Sequence, residues 1–249
     1  MLRAIIAGLI QGIAEWLPIS SQGMVSLFML QFGYTLKDAV MYALWLHVGT
    51  ALSAIIYFRK ELVSVFNNLK FEKKSIFWFV FISTAISSLI GLPIVLFGLD
   101  RVNISIASLL IGVMLIITGL LQYFAKKVKR SRSINLKDSV LLGIMQGFSA
   151  MPGISRSGIT ISGFLFKGYK AEDAFKLSFL MSIPIVVLSS VFIVATDSVV
   201  FSLESFVALF VSFIVGYLTI GLLIKFAKKF NFGIICIILG ILSILATFI

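Results

Sequence analysis

The sequence has few charged residues, a single cysteine and a single histidine. Only 12% of its 249 residues are charged, whereas 60% are hydrophobic, and the mean hydropathy is +1.12. A soluble domain cannot bury that much apolar surface, so the bilayer must be the solvent for most of the chain. One cysteine, Cys236, excludes an intramolecular disulfide, and its place in a late apolar run indicates a small packing residue.

Acidic residues are scarce as well, with ten against 21 basic residues, and the net charge is +11. The excess lies in short segments beside apolar runs, where it matches anionic lipid headgroups rather than nucleic acid. Arg3 precedes apolar sequence, but Pro18, Ser20 and Ser21 do not form a convincing cleavage site. We therefore expect the first segment to remain in the mature protein.

Two polar stretches interrupt the apolar sequence, Gln11–Gly23 and Gln146–Gly158, and they align without a gap at a constant offset of 135. The chain is therefore predicted to be a single integral membrane domain, 1–249, built from two copies of one unit, 1–125 and 136–249. The positions shared at this offset are Gly8/Gly143, Gln11/Gln146, Gly12/Gly147, Ile19/Ile154, Ser20/Ser155, Gly23/Gly158, Gly33/Gly168, Tyr34/Tyr169, Asp38/Asp173 and Ala39/Ala174.

Each copy is predicted to hold a broken hydrophobic segment followed by three membrane-spanning helices, which makes the fold an all-α polytopic membrane protein. Proline, glycine and serine interrupt 4–30 and 137–166, so each segment is predicted to be a re-entrant hairpin that enters and leaves on one side. The other apolar segments reach the roughly 20 residues that a crossing requires. These six predicted spans are 39–58, 76–98, 104–124, 173–195, 205–225 and 231–249.

Three spans per copy is an odd number, so the second copy is predicted to be inverted relative to the first. One side then has little charge beyond Arg3, Lys37, Asp100, Arg101, Asp197 and Glu204. By the positive-inside rule the basic side is expected to be cytoplasmic and both termini to lie outside the plasma membrane. The first hairpin then enters from outside and the second from the cytoplasm, so their tips are expected to meet near the midplane. The basic side carries Arg59, Lys60, Lys70, Lys73, Lys74, Lys126, Lys127, Lys129, Arg130, Arg132, Lys137, Lys228 and Lys229.

The first hairpin brings a carboxylate, an amide and two hydroxyls to membrane depth. Gln11 and Glu15 are four residues apart and share a helix face, while Pro18 ends the helix and leaves Ser20 and Ser21 at the turn. A buried carboxylate is costly in a membrane, so a functional role is favoured over a structural one. For the serines, helix capping or helix packing is the alternative.

The second hairpin has the composition of an anion site. A helix that starts after Gly153 would present free amides and the positive end of its dipole. Arg156 adds a forked donor that fits phosphate oxygens, although a purely structural pair with Glu15 is the alternative. Further donors are the hydroxyls of Ser155, Ser157 and Thr160.

His47 lies in an apolar segment, Leu46–Thr50, and a packing role is slightly favoured for it. The 24 phenylalanines are mostly expected to face lipid, with some lining a groove for an isoprenoid tail.

These motifs resemble the undecaprenyl-diphosphate phosphatase family of the bacitracin-resistance type. The pattern (E/Q)xxxE-x₂-P-x-SS is matched from Gln11 to Ser21, and PGxSRSxxT is matched in full from Pro152 to Thr160. Looser similarity is found in Leu46–Thr50 and in Leu177–Pro184, and the resemblance covers essentially the whole chain.

The resemblance implies removal of the terminal phosphate from a polyprenyl diphosphate with help from a divalent metal such as Mg²⁺. Ser21 would be the nucleophile, Glu15 the base or a metal ligand, and Arg156 a catalytic cation. Gln11 is a second candidate metal ligand. The candidate substrate-binding residues are Gln11, Ser20, Gln146, Gly153, Ser155, Ser157 and Thr160.

The chain departs from the family pattern at two positions. Met24 stands where many members carry a histidine, and Gln11 leaves Glu15 as the one carboxylate of its motif. The alternative function is a polyprenyl-phosphate transporter or flippase, because inverted repeats with broken helices are the usual transporter plan. Attack by Ser21 or directly by water, and the presence of a homodimer, are left open.

Overall fold

The computed structural model describes residues 1–60, 62–63, 76–97, 102–125, 133–196 and 202–248. Within these ranges the regular structure is helical throughout, as predicted. The helices are α1 Leu2–Ala14, α2 Ser21–Leu30, α3 Leu36–Tyr57, α4 Ile76–Phe97, α5 Ile104–Phe124, α6 Leu136–Phe148, α7 Arg156–Phe166, α8 Ala171–Ala195, α9 Leu203–Lys229 and α10 Gly233–Leu245, with a 3₁₀ turn at Ala246–Phe248.

Five helices of the described chain, α3, α4, α5, α8 and α9, are long and apolar enough to cross a membrane. The sixth predicted span is shorter than expected, because its helix begins only at Gly233 and has 13 residues before the 3₁₀ turn. Outside the described residues lie Lys70, Lys73, Lys74, Asp100, Arg101, Lys126, Lys127, Lys129, Arg130, Arg132 and Asp197.

Both predicted breaks are helix–turn–helix units, α1 with α2 and α6 with α7, and each unit packs its first helix on the other copy. Gly8 and Gly12 of α1 lie against α9, and the equivalent Gly143 and Gly147 of α6 lie against α4. A Cβ at any of the four would come within about 3 Å of the facing helix. Small residues at this spacing let helix backbones approach closely in a membrane.

Equivalent helices of the two copies also pack on each other and run antiparallel. In α5 and α10, Gly112 faces Gly240 and Gly119 faces Gly233. In α3 and α8, the late residue Phe58 stacks on the early residue Phe179 at 6.1 Å. Antiparallel equivalent helices are the arrangement that an inverted repeat predicts; the orientation in a membrane and the copy boundaries stay predictions.

The two hairpin turns meet inside the bundle. Gly23 packs so closely on Gly153 that a Cβ on Gly23 would lie 3.0 Å from the Gly153 nitrogen. Gln22 Nε2 also crosses the junction and donates to the carbonyl oxygen of Ala150 at 3.3 Å. Gly153 itself has φ +96 and its Cα faces the backbone of α5, so both its dihedral and its surroundings require glycine.

Candidate active site

Two helices begin at the junction of the hairpins. Helix α2 starts at Ser21 and α7 at Arg156, and the residue before each start is a serine cap. Ser20 Oγ accepts from the Gly23 amide at 3.2 Å, and Ser155 Oγ accepts from the Gly158 amide at 3.1 Å. Because the first amides of a helix have no partner within the helix, two positive helix ends converge where an anion would bind.

A buried ion pair joins the two copies at this place. Arg156 Nη2 donates to Glu15 Oε1 at 2.5 Å, and the side chains of Arg156 and Glu15 are only 14% and 5% exposed. The other terminal nitrogen, Arg156 Nη1, is buried and has no hydrogen-bond partner in the described part of the chain. The unused donor of this guanidinium can hold a second acceptor, such as an anion.

The second carboxylate oxygen of Glu15 holds the serine. Ser21 Oγ donates to Glu15 Oε2 at 2.6 Å, and Gln11 Nε2 donates to the same oxygen at 3.0 Å. Gln11 Nε2 also lies 3.3 Å from Thr50 Oγ1. The spacing that placed Gln11 and Glu15 on one helix face therefore lets the Gln11 amide and the Ser21 hydroxyl donate to the same oxygen of Glu15.

His47, for which the sequence favoured a packing role, lies at this site. Its Nε2 is 3.1 Å from Glu15 Oε2 and 3.5 Å from Ser21 Oγ. The signal that pointed to it is that the only histidine of the chain occurs in a stretch shared with the family pattern. Gln22 and Ser149, which the sequence did not single out, also line the site.

A small polar cavity, of about 20 Å³, lies between the turns. That volume accepts one water-sized oxygen, so a phosphoryl group enters only if the lining side chains separate. Its wall contains the three predicted catalytic residues, Glu15, Ser21 and Arg156. Of the predicted substrate-binding residues, it contains Ser20, Ser155 and Ser157. The complete lining is Glu15, Leu17, Ser20, Ser21, Gln22, His47, Ser149, Ile154, Ser155, Arg156 and Ser157.

A larger, mainly apolar cavity of about 300 Å³ adjoins the polar one between α4, α6 and α8. The two cavities share Gln22, His47, Ser149 and Arg156. Leu92 of α4 and Leu188 of α8 lie in its wall and are 44% and 49% exposed at the apolar surface of the bundle. The site thus combines a polar end with an apolar end that reaches the apolar surface of the bundle.

Four predicted substrate-binding residues lie outside the wall of the polar cavity, and one of them, Gln11, donates to Glu15 as described above. Thr160 is fully buried, and its Oγ1 donates to the carbonyl oxygen of Arg156 at 2.7 Å. Gln146 lines the apolar cavity and donates to Ser87 Oγ at 3.1 Å. Gly153 contributes the close contact of the turns. Thr160 and Gly153 therefore fix the start of α7, and Gln146 belongs to the apolar end.

The residues present fit a metal ion only together with substrate. The described chain has no group of three acidic, histidine or cysteine ligands, and both Glu15 oxygens already have partners. Gln11 Oε1 is buried beside Glu15 and unpartnered among the described residues. One carboxylate and one amide oxygen suit Mg²⁺ when phosphate oxygens and water complete its six ligands.

The sequence is similar to one family model and to several named proteins. The sequence model described as bacitracin resistance protein BacA matches residues 4–242. Three relatives are named undecaprenyl-diphosphatase. The protein of Methanococcoides burtonii is 44% identical over 99% of this chain and 98% of its own length. That of Methanothrix thermoacetophila is 36% identical over 99% and 96%, and that of Haloarcula marismortui 35% over 98% and 96%. The chain belongs to the bacitracin resistance protein BacA family.

Proposed function

We propose that the chain hydrolyses a polyprenyl diphosphate to the monophosphate and inorganic phosphate. The observation that carries this proposal is the unused Nη1 of Arg156 beside a serine hydroxyl held by a carboxylate. The names of the relatives support it, because three similar proteins of nearly equal length are named as diphosphatases. They favour hydrolysis over the transporter alternative.

The chemical step uses the contacts of Ser21. Its Oγ attacks the terminal phosphorus, the phosphorus–oxygen bond to the inner phosphate breaks, and the serine proton passes to Glu15 Oε2, now 2.6 Å away. Water then attacks the phosphorus of the phosphoserine, and the bond between phosphorus and Oγ breaks. Glu15 returns the serine proton to Oγ, and the proton that water loses leaves with the released phosphate. Direct attack by a water that Glu15 holds gives the same products.

The remaining groups stabilise charge. Arg156 and the first amides of α2 and α7 face the position of the transferring phosphoryl oxygens, where preorganised donors contribute most to phosphoryl transfer. Ser20, Ser155 and Ser157 add hydroxyls in the same wall. Mg²⁺, held by Glu15, Gln11 and the diphosphate, would supply further neutralisation of phosphate charge when bound.

The apolar cavity is the proposed seat of the isoprenoid tail. It begins at Arg156 and His47 and extends between α4 and α8 to the lipid-facing surface. A cavity of about 300 Å³ takes only the first isoprene units, so the rest of a long tail stays in the bilayer. The substrate is therefore recognised by its head and the adjoining units, while total length has little influence.

The first experiment is phosphate release from a long-chain polyprenyl diphosphate by purified protein in detergent, with Mg²⁺ and with EDTA. Arg156→Ala is expected to lose at least about a hundredfold in turnover, since removing one charge-stabilising donor costs about 10²–10³. Arg59→Ala is the matched control, because Arg59 is exposed, lines neither cavity and, within the described chain, donates to the carbonyl oxygen of Ile56.

Release that is the same for Arg156→Ala and Arg59→Ala would reject the site. Tight lipid binding by the wild type without any release would reject hydrolysis. Metal dependence is read separately, because EDTA is expected to abolish release without unfolding the protein.

A further inference from the structure

His47 contacts the serine site, yet the mechanism above gives it no role. Its Nδ1 lies 2.7 Å from the carbonyl oxygen of Ala43, one turn earlier in α3. A carbonyl oxygen only accepts hydrogen bonds, so Nδ1 carries a hydrogen and the plane of the ring is fixed. This bond directs Nε2 at the site.

Nε2 and the serine hydroxyl share one acceptor. Nε2 lies 3.1 Å from Glu15 Oε2, and Ser21 Oγ lies 2.6 Å from the same oxygen. The distance between Nε2 and Oε2 is that of a hydrogen bond. The imidazole therefore limits where Oε2 lies, and through Oε2 it limits where the hydroxyl of Ser21 lies.

A bound anion does not compete for the contact between His47 and Glu15 Oε2. Glu15 Oε1 is held by Arg156, the same guanidinium that a diphosphate attracts. As substrate draws Arg156 toward its oxygens, the hold on Oε1 weakens. His47 comes from α3 rather than from either hairpin and is 8% exposed, so its contact with Oε2 is held by the bundle.

We propose that His47 is a positioning residue that keeps Glu15 Oε2 against Ser21 while Arg156 engages the substrate. The proposal rests on the proposed function. Without His47, Glu15 follows Arg156 and the hydroxyl of Ser21 loses its acceptor at the moment of attack. Binding of the diphosphate head is unaffected, because Arg156 and the helix amides remain in place, and an apolar replacement at position 47 keeps the wall of the apolar cavity.

The test compares His47→Leu, which removes the donor, with His47→Gln, whose amide nitrogen can donate to Oε2. For His47→Leu we expect kcat to fall on the order of a hundredfold with KM within about twofold, since a small misplacement of reacting groups costs about that much. His47→Gln should keep kcat within about tenfold of wild type. Val48→Leu is the control for a change in α3, because Val48 lines neither cavity.

A second measurement needs no lipid. A fluorophosphonate reacts with an activated serine, forming an Oγ–phosphorus bond and releasing fluoride and a proton, and the intact mass reports the product. Labelling of Ser21 is expected to be at least about tenfold slower in His47→Leu than in Val48→Leu.

Each result decides the matter. Equal kcat and labelling rates in His47→Leu and wild type would overturn the proposal. So would equal impairment of His47→Gln and His47→Leu, or a loss in His47→Leu that appears in KM alone. Failure of the proposed function itself is distinct: the wild type would then release no phosphate, and the labelling rates would still test His47.

Discussion

At the scale of single residues, Ser20 and Ser21 are neighbours with different tasks. Ser20 has φ 65, a left-handed conformation that is uncommon for serine, and its Oγ caps α2. This turn of the backbone lets Ser21 begin the helix with its Oγ directed at Glu15. The strained Ser20 thus orients Ser21, the proposed nucleophile.

Ser21→Ala tests whether Ser21 is the nucleophile. If Oγ forms the covalent intermediate, turnover should fall by about a thousandfold or more, because the residual rate then comes only from binding and charge stabilisation. The measurement is phosphate release at saturating substrate, with Ser26→Ala as control, since Ser26 is buried in α2 away from the polar cavity. A loss of less than tenfold would favour direct attack by water.

Local sequence could predict the hairpin residues but not those that depend on packing between helices. Prolines and glycines break the apolar pattern next to Glu15, Ser21 and Arg156. The sequence could therefore predict that these three residues lie at a site. His47 lies within an unbroken helix, and only the packing of α3 directs it at Glu15. Thr160 belongs to the motif, but its hydroxyl does not line the polar cavity. Because Thr160 follows Arg156 by four residues in the same helix, its hydroxyl donates to the carbonyl oxygen of Arg156 instead.

At the scale of elements, α8 presents two neighbouring serines to different surroundings. Ser189 lines the apolar cavity and Ser190 does not, and each donates to a carbonyl of its own helix. Ser189→Phe should raise KM for long-chain diphosphates about tenfold or more, because the ring takes the volume of the first isoprene units. Ser190→Phe should leave KM within about twofold.

The readout is KM from initial rates of phosphate release in detergent, with stability of both variants followed by thermal unfolding. An equal KM for the two phenylalanine variants would place the tail elsewhere.

The element order could be predicted because apolar runs and breaks alternate along the chain. The pairing of α1 with α9 and of α6 with α4 could not be predicted. Glycines at this spacing indicate that a helix packs closely, but they do not indicate which helix it is.

At the scale of the whole molecule, the expected orientation can be tested with two single cysteines. Gln31 follows α2 and Lys60 follows α3, and both are exposed. With the termini outside, a membrane-impermeant maleimide should label Gln31→Cys on intact cells and Lys60→Cys only after lysis. The natural Cys236 is fully buried, so the parent protein should stay unlabelled and serve as control. The reverse labelling pattern would contradict the predicted orientation.

The pairing of α1 with α9 has a consequence for biosynthesis. Helix α1 leaves the ribosome before its partner α9, which begins only at Leu203, and the Arg156 that neutralises Glu15 also comes later. At about 5–20 residues per second the residues between 14 and 203 take about 10–40 s to synthesise. Arg156 follows Glu15 by 141 residues, so for about 7–28 s the first hairpin carries a carboxylate at membrane depth without its cation. The nascent chain therefore depends on the insertion machinery to shelter this hairpin until the second half arrives.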